Sequence, residues 1–193
     1  ARAYLRGRGY GTEQVGGYRL GYSPADGDVL VRSLREEQVP EEVMMAAGLA
    51  VRSRAGRLFD RFRDRVMFPI FDVRGDAVGC GARLLGGEGP KYLNSPDSAI
   101  YQKSYLLYGL NWAKSEIVRR GMAVVVEGYT DVIALAEAGR PLGVATCGTA
   151  LGEGHLDLLR RFTERVVLMF DADEAGVEAS LRGFERSVPG DLD

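Results

Sequence analysis

Short aliphatic runs alternate with helix-like segments over the second half of the chain. The aliphatic runs occupy residues 123–126, 144–145 and 166–170, and an amphipathic segment follows each of them. The predicted helices cover residues 110–120, 129–138, 153–161 and 174–184. Buried strands that alternate with helices are typical of βαβ units. The pattern therefore predicts a parallel sheet that helices cover on both faces.

The first half of the chain combines short helices with a β-hairpin. The predicted helices cover residues 2–9, 28–36 and 41–47, and a further helix begins at Thr12. Two apolar runs, at 66–72 and 77–83, flank a short turn, which is the pattern of a hairpin. The predicted fold class is mixed α/β. A helical and β-ribbon subdomain over residues 1–108 precedes a mainly parallel α/β domain over residues 109–193.

Composition limits the class of protein. Of the 193 residues, 46% are hydrophobic and 27% are charged, which is typical of a globular protein and excludes a disordered or fibrous chain. Two cysteines and a single histidine, His155, cannot form a disulfide framework or a cysteine-rich zinc site, so no zinc is expected. Neither a membrane span nor a signal peptide is visible, so we expect a cytoplasmic protein without a membrane partner. The chain opens on Ala1, so we expect it to be part of a longer protein.

Basic and acidic residues are unevenly distributed along the chain. Residues 1–103 contain 16 Lys and Arg against 13 Asp and Glu, whereas residues 104–193 contain 9 against 14. Such a distribution is expected when one part of a protein binds a polyanion and another part binds metal ions. The same asymmetry also arises by chance, so it supports this interpretation only together with specific motifs.

Carboxylates follow two of the predicted strands at equivalent places. Glu127 comes directly after the first aliphatic run, with Asp131 four residues further on, and Asp171 and Asp173 follow the third run. The carboxyl ends of parallel strands meet at one edge of a sheet, so these groups are expected to converge. Converging carboxylates repel each other, and hard oxygen ligands select Mg²⁺ or Mn²⁺. We therefore expect one or two such ions here, and the alternative is that the acids cap helix N-termini.

Arginines accumulate between residues 51 and 65, where six of them face only two acidic residues. Phe62 and Phe68 interleave with this cluster, and Lys91 and Tyr92 follow it. Cations interleaved with aromatic rings are typical of a groove that follows phosphates by charge and lets bases stack. The alternatives are a solvated strand face for the arginines and a core position for Tyr92. His155, which has leucines close by, is expected to be a structural hydrogen-bonding residue.

Three motifs in the second half resemble the Toprim domain of bacterial DNA primases. They are Glu-Gly-Tyr-Thr-Asp-Val at 127–132, Ala-Thr-Cys-Gly-Thr-Ala at 145–150 and Phe-Asp-Ala-Asp-Glu-Ala-Gly at 170–176. The segments similar to the stretch that precedes Toprim in this family lie at 61–70, 78–83, 91–96 and 107–110. By this resemblance, residues 109–193 form a Toprim domain with a Rossmann-like, mainly parallel sheet.

The resemblance implies the RNA-polymerising core of a primase, which makes short RNA primers on single-stranded DNA from ribonucleoside triphosphates. It implies that Glu127 is a metal ligand or general base and that Asp171 and Asp173 hold Mg²⁺ or Mn²⁺, with Asp131 in support. The residues that it assigns to template, primer or nucleotide phosphates are Arg8, Arg61, Arg63, Arg83, Lys91, Tyr92, Asn94 and Lys103. A Toprim nuclease and a non-catalytic DNA-binding Toprim scaffold stay open as alternatives.

The resemblance also implies partners outside this chain. In the family, the replicative helicase and the single-strand-binding protein meet the primase through parts that the sequence does not contain, and a zinc-binding module precedes the core. A further acidic motif of the family lies beyond Asp193. We therefore expect the chain to fold and to bind DNA but to synthesise primers poorly.

Overall fold

The computed structural model describes residues 1–171, and their contacts divide the chain into two compact units. Unit 1 consists of Ala1–Ile70 and Val78–Tyr101, and unit 2 consists of Phe71–Ala77 and the chain from Gln102 onward. The sequence predicts two contiguous parts that meet after residue 108. In the structure, unit 2 also contains Phe71–Ala77, a short segment from the first half of the chain. The division at residue 108 stays a prediction.

Unit 1 combines short helices with two antiparallel arrangements of strands. Its helices are α1 (Arg2–Gly7), α2 (Thr12–Gly17), α3 (Val29–Glu36) and α4 (Glu41–Ala46), and its strands are β1 (Gly21–Ser23), β2 (Ala50–Arg52), β3 (Leu58–Asp60), β4 (Arg65–Phe71), β5 (Ala77–Leu84) and β6 (Tyr92–Asn94). One sheet has the order β1–β4–β5–β6, and β2 pairs with β3 separately. The predicted hairpin is confirmed as β4 and β5, and their connecting tip belongs to unit 2.

Asp60 joins β3 to α3 in the interior of unit 1. Its carboxylate accepts hydrogen bonds from the backbone N–H groups of Leu30 and Val31, at 2.9 Å each. These groups lie in the first turn of α3, where no helical carbonyl can accept from them. Asp60, which is buried, therefore caps the helix from a neighbouring strand. The apolar cluster of this region contains Val31, Met44, Ala50 and Leu58.

Unit 2 contains the alternating strands and helices that the sequence predicts. Its described elements are a 3₁₀ turn (Lys103–Tyr105), β7 (Leu107–Tyr108), α5 (Leu110–Arg120), β8 (Ala123–Val126), α6 (Tyr129–Glu137), β9 (Gly143–Thr146), α7 (Glu153–Arg160) and β10 (Val166–Met169). The strand order is β10–β8–β9–β7, in which β8 runs parallel to β9 and β10 and β7 runs antiparallel to β9. No helix over residues 1–171 has both the length and the apolar character needed to span a membrane.

The core of unit 2 lies between its helices and the central strands of the sheet. Ile117 on α5 and Val144 on β9 are fully buried in the same apolar cluster. β10 differs from the predicted strand with two covered faces, because Val167 and Met169 are exposed and Val166 and Leu168 are half-buried. The predicted helix over 174–184 lies outside the described residues.

Gly109 makes the close connection between β7 and α5 possible. Its φ of 87° lies in the left-handed region, which is unfavourable for residues with a Cβ. An added Cβ would lie 2.5 Å from Cγ1 of Val132 and 3.1 Å from the carbonyl oxygen of Gly143. Both the backbone conformation and the space around it therefore require glycine at this position.

Candidate active site and basic surface

Glu127 and Asp171 lie side by side at the carboxyl edge of the sheet in unit 2. β8 and β10 are neighbouring parallel strands, and their register aligns Val126 with Met169. Glu127 directly follows β8, and its Oε1 accepts a hydrogen bond of 2.9 Å from the backbone N–H of Asp171. Both residues are exposed. The parallel strands thus bring together two predicted site residues that are 44 positions apart in the sequence.

Asp131 has a defined role at the start of α6. Its Oδ2 accepts a hydrogen bond of 3.0 Å from the backbone N–H of Gly128, the N-cap residue of the helix. A Cβ added at Gly128 would lie 3.1 Å from the same oxygen, so glycine leaves room for this approach. A carboxylate in the first turn also interacts favourably with the helix dipole. The helix-cap alternative therefore accounts for Asp131, whereas Glu127 lies before the helix.

The acidic edge, which we define as Glu127, Asp131 and Asp171, fits part of a divalent-cation site. Carboxylate oxygens are the donors that Mg²⁺ and Mn²⁺ prefer, and Mg²⁺ is usually held by one or two carboxylates. Asp173, the further predicted ligand, lies outside the described residues. Within residues 1–171, no group of three or more histidine, cysteine or acidic side chains is placed to hold an ion. The described residues therefore supply two neighbouring acidic residues, Glu127 and Asp171, which are joined by a hydrogen bond from the Asp171 backbone to the Glu127 carboxylate.

The arginines at 61, 63 and 65 have three different environments in unit 1. Arg63 is exposed and Arg61 is half-buried. Arg65 is only 5% exposed, and its Nη1 donates a hydrogen bond of 3.0 Å to the carbonyl oxygen of Pro90. Burial, together with the nearby charge of Arg63, lowers the pKa of the Arg65 guanidinium. Arg65 therefore fixes the loop at Pro90, and Arg61 and Arg63 are the two that retain accessible surface.

Arg83 lies between two tyrosine rings in unit 1. Its guanidinium carbon is 4.8 Å from the ring centre of Tyr4 and 5.5 Å from that of Tyr92, which faces it across β5 and β6. The guanidinium of Arg8 is 5.5 Å from the ring centre of Tyr4. All three distances fall within the range of cation–π attraction. We call this series of alternating cations and rings, Arg8, Tyr4, Arg83 and Tyr92, the Arg–Tyr stack.

Lys91, Asn94 and Lys103 are the other residues near Tyr92 in the sequence that are expected to bind phosphates. They do not all belong to the same unit. Tyr92 is 44% exposed, which excludes the alternative of a core position. Lys91 is exposed and Asn94 is half-buried on β6. Lys103 is half-buried and belongs to unit 2, whereas the other seven residues expected to bind phosphates belong to unit 1.

The two phenylalanines among the arginines are core residues. Phe62 is 3% exposed and Phe68 is fully buried. The expectation that they contribute to base stacking is therefore wrong, because the alternation of β4 directs Phe68 inward. Sequence analysis missed Tyr4, which supplies a ring instead. The spacing of Tyr4 and Arg8, four residues apart in a helical region, is the signal that could have found it.

Comparison with protein families covers both units. Residues 1–114 match the family described as the DNA primase catalytic core, N-terminal domain, and residues 121–192 match the Toprim domain. The DNA primase of Streptomyces coelicolor is 47% identical over 191 residues, which are 95% of this chain and 30% of that protein. The chain spans about a third of the length of the curated relatives that it matches.

Solved structures give the same result. The RNA polymerase domain of Mycobacterium tuberculosis primase DnaG is 39% identical with a TM-score of 0.89, over 95% of this chain and 62% of that chain. A DnaG primase catalytic domain bound to ssDNA is 40% identical with a TM-score of 0.87, over 97% of this chain and 59% of that chain. On the extent of these matches, the chain belongs to the DNA primase family, as the N-terminal domain of the catalytic core followed by a Toprim domain.

Proposed function

We propose that this chain is part of a primase core that makes short RNA primers on single-stranded DNA by template-directed nucleotidyl transfer. The observation that supports the proposal most directly is the pairing of Glu127 with Asp171 at the ends of adjacent parallel strands in a Toprim domain. In the reaction, the 3′-hydroxyl of the primer attacks the α-phosphate of a ribonucleoside triphosphate. The new phosphodiester bond forms as the bond to pyrophosphate breaks, and the hydroxyl loses its proton.

A Toprim domain implies dependence on a divalent metal. We propose one or two ions of Mg²⁺ or Mn²⁺ on Glu127, Asp171 and Asp173, and no zinc. When bound, such ions stabilise the charge that develops on the phosphoryl oxygens. The exposed carboxylate of Glu127 can hold a cation or accept a proton, and the Asp171 N–H restrains one of its oxygens. Asp131 supports the site by holding the backbone of Gly128.

The basic residues are proposed to bind the phosphates of the template, the primer and the nucleotide. The residues are Arg8, Arg61, Arg63, Arg83, Lys91, Tyr92, Asn94 and Lys103. Guanidinium groups suit phosphate because they offer several N–H donors in one plane. The exposed ring of Tyr92 is a surface on which a base can stack. The single-stranded DNA bound to a structural neighbour supports this assignment.

Further partners are proposed only for a longer protein that contains this chain. A replicative helicase and a single-strand-binding protein would bind through other parts of that protein, at the replication fork in the cytoplasm. A Toprim nuclease would use the same acids to activate water, and a scaffold would need no accessible carboxylates at the sheet edge. The accessible Glu127 and Asp171 favour an enzyme over the scaffold.

The metal assignment is tested by Mn²⁺ titration followed by electron paramagnetic resonance. Asp171→Asn and Glu127→Gln each remove a ligand charge while keeping the shape of the side chain. We expect each variant to bind Mn²⁺ at least about tenfold more weakly, a loss of about 1.4 kcal/mol. Glu164→Gln, which alters an exposed acid before β10, is the matched control and should bind as the unaltered chain does.

The reaction itself is tested with a full-length primase that contains this chain. Labelled ribonucleotides and a single-stranded template measure primer synthesis, which Glu127→Gln should abolish while Glu164→Gln retains it. Unchanged Mn²⁺ affinity in both site variants would contradict the metal site. DNA cleavage that is lost in Glu127→Gln, without any primer synthesis by the unaltered protein, would favour the nuclease.

A further inference from the structure

His155 is buried in unit 2 between the first turn of α7 and the backbone at Lys103. It is only 1% exposed. Its Nδ1 accepts a hydrogen bond of 3.1 Å from the backbone N–H of Gly152, the N-cap residue of α7. Its Nε2 lies 2.7 Å from the carbonyl oxygen of Lys103. Since a backbone N–H can only donate, Nδ1 must accept, and the proton of the neutral ring lies on Nε2 and is donated to Lys103.

The 3₁₀ turn that contains Lys103 also packs closely against the same end of α7. A Cβ added at Gly154 would lie 2.5 Å from the carbonyl oxygen of Ser104 and 2.7 Å from the ring of Tyr105. The helix therefore approaches the turn as closely as a glycine permits. Burial lowers the pKa of His155, although the hydrogen bond to Lys103 acts in the opposite direction. The neutral ring thus keeps both of its hydrogen bonds at neutral pH.

We propose that His155 is a positioning residue that sets where Lys103 meets phosphate. The inference rests on the proposed function, in which Lys103 binds the phosphates of DNA or of the nucleotide. His155 does not contact the ligand in this proposal. It acts by joining the backbone of Lys103 to α7. The side chain that carries the ammonium group therefore extends from a fixed Cα position.

Two substitutions separate the two hydrogen bonds of His155. In His155→Asn, the amide oxygen replaces Nδ1 and can still cap α7, but nothing reaches Lys103. In His155→Gln, the amide nitrogen replaces Nε2 and can still donate to Lys103, but the acceptor for Gly152 is lost. If His155 is purely structural, both substitutions should weaken ligand binding to a similar extent. If His155 positions Lys103, His155→Gln should retain ligand binding and His155→Asn should not.

The experiment measures equilibrium binding of fluorescein-labelled oligothymidylate and, separately, of ATP, because either source can supply the phosphate. Lys103→Ala should weaken one of the two ligands about fivefold or more. His155→Asn should weaken the same ligand about threefold or more, and His155→Gln should stay within about twofold of the unaltered chain. Thermal unfolding of each variant shows that the compared proteins are folded.

A double-mutant cycle completes the test. If His155 acts through Lys103, adding His155→Asn to Lys103→Ala should cause no further loss of binding. Additive losses would overturn the inference, and so would equal losses in the Asn and Gln variants. Lys103→Ala without effect on either ligand would overturn the assignment of Lys103 itself, which is a failure of the proposed function and not of the geometry at His155.

Discussion

Tyr4 holds in place the side chains of Arg8 and Arg83, two cations that are proposed to bind phosphates. Its ring lies against the guanidinium groups of both Arg8 and Arg83, and its hydroxyl oxygen is buried without a hydrogen-bond partner among the described residues. A ring that contacts two cations restricts both of them at once. The Arg–Tyr stack is thus arranged before any ligand arrives, which reduces the entropy lost on binding.

We predict that Tyr4→Leu weakens binding of single-stranded DNA by roughly fivefold or more. Without the ring, the side chains of Arg8 and Arg83 are no longer ordered in advance, and fixing each of them on the ligand costs about 0.5–1.5 kcal/mol. Tyr4→Phe is the matched control, because it keeps the ring and removes only the unpaired hydroxyl. Fluorescence anisotropy measures both affinities. Equal affinity of the Leu and Phe variants would show that the ring does not organise the surface.

At the residue scale, sequence could predict the acids better than their surroundings. Glu127 and Asp171 each follow an aliphatic run directly, and parallel strands bring such positions to one edge. The ring between two cations could not be predicted, because Tyr4 and Arg83 are brought together only by tertiary packing. Phe62 was misinterpreted for the same reason, since nothing local distinguishes an inward ring from an outward one.

At the scale of elements, the connection from β7 to α5 depends on Gly109. We predict that Gly109→Ala lowers the free energy of unfolding by about 3 kcal/mol, because left-handed strain of about 1–2 kcal/mol adds to overpacking against Val132. Gly121→Ala is the matched control. Gly121 has a φ of 61° but open space around it, so only the strain of about 1 kcal/mol is expected.

Urea unfolding of the two glycine variants measures this difference. A similar loss for both would mean that the backbone conformation alone matters and that β9 and α6 yield to the added methyl group. A smaller loss for Gly109→Ala than for Gly121→Ala would contradict the close packing at that connection.

Elements with a strong periodic signal could be predicted, and very short ones could not. α5 has the same bounds as predicted, and α6 ends one residue earlier than predicted. β7 contains two residues and pairs antiparallel with β9, which no pattern over two positions can indicate. β2 and β3 lie within an arginine-rich stretch whose charge conceals the alternation of a strand.

At the scale of the whole molecule, the salt dependence of DNA binding tests whether the basic residues proposed to bind phosphates do so. Arg63→Gln combined with Lys91→Gln removes two exposed cations that are proposed to meet phosphates. We predict that the slope of log affinity against log salt becomes shallower by about 1.4, since each contact to single-stranded DNA contributes about 0.7. The affinity for all sequences should fall alike.

The control for this prediction is a double variant with the same net charge as Arg63→Gln combined with Lys91→Gln. Arg54→Gln combined with Arg140→Gln also removes two exposed cations, neither of which is assigned to DNA. This variant should keep the slope of the unaltered chain. If both double variants change the slope equally, DNA binding depends on the overall charge of the protein and not on a defined set of residues.

The hairpin tip assigned to unit 2 affects the order in which the nascent chain can fold. The ring of Phe71 packs against Trp112 with ring centres 5.8 Å apart, and Nζ of Lys114 donates to the carbonyl oxygen of Val73 at 2.6 Å. The tip therefore leaves the ribosome about 40 residues before its partners on α5. The chain also passes from one unit to the other three times, after residues 70, 77 and 101. A single proteolytic cut at any one of these crossings therefore leaves at least one fragment that contains residues of both units.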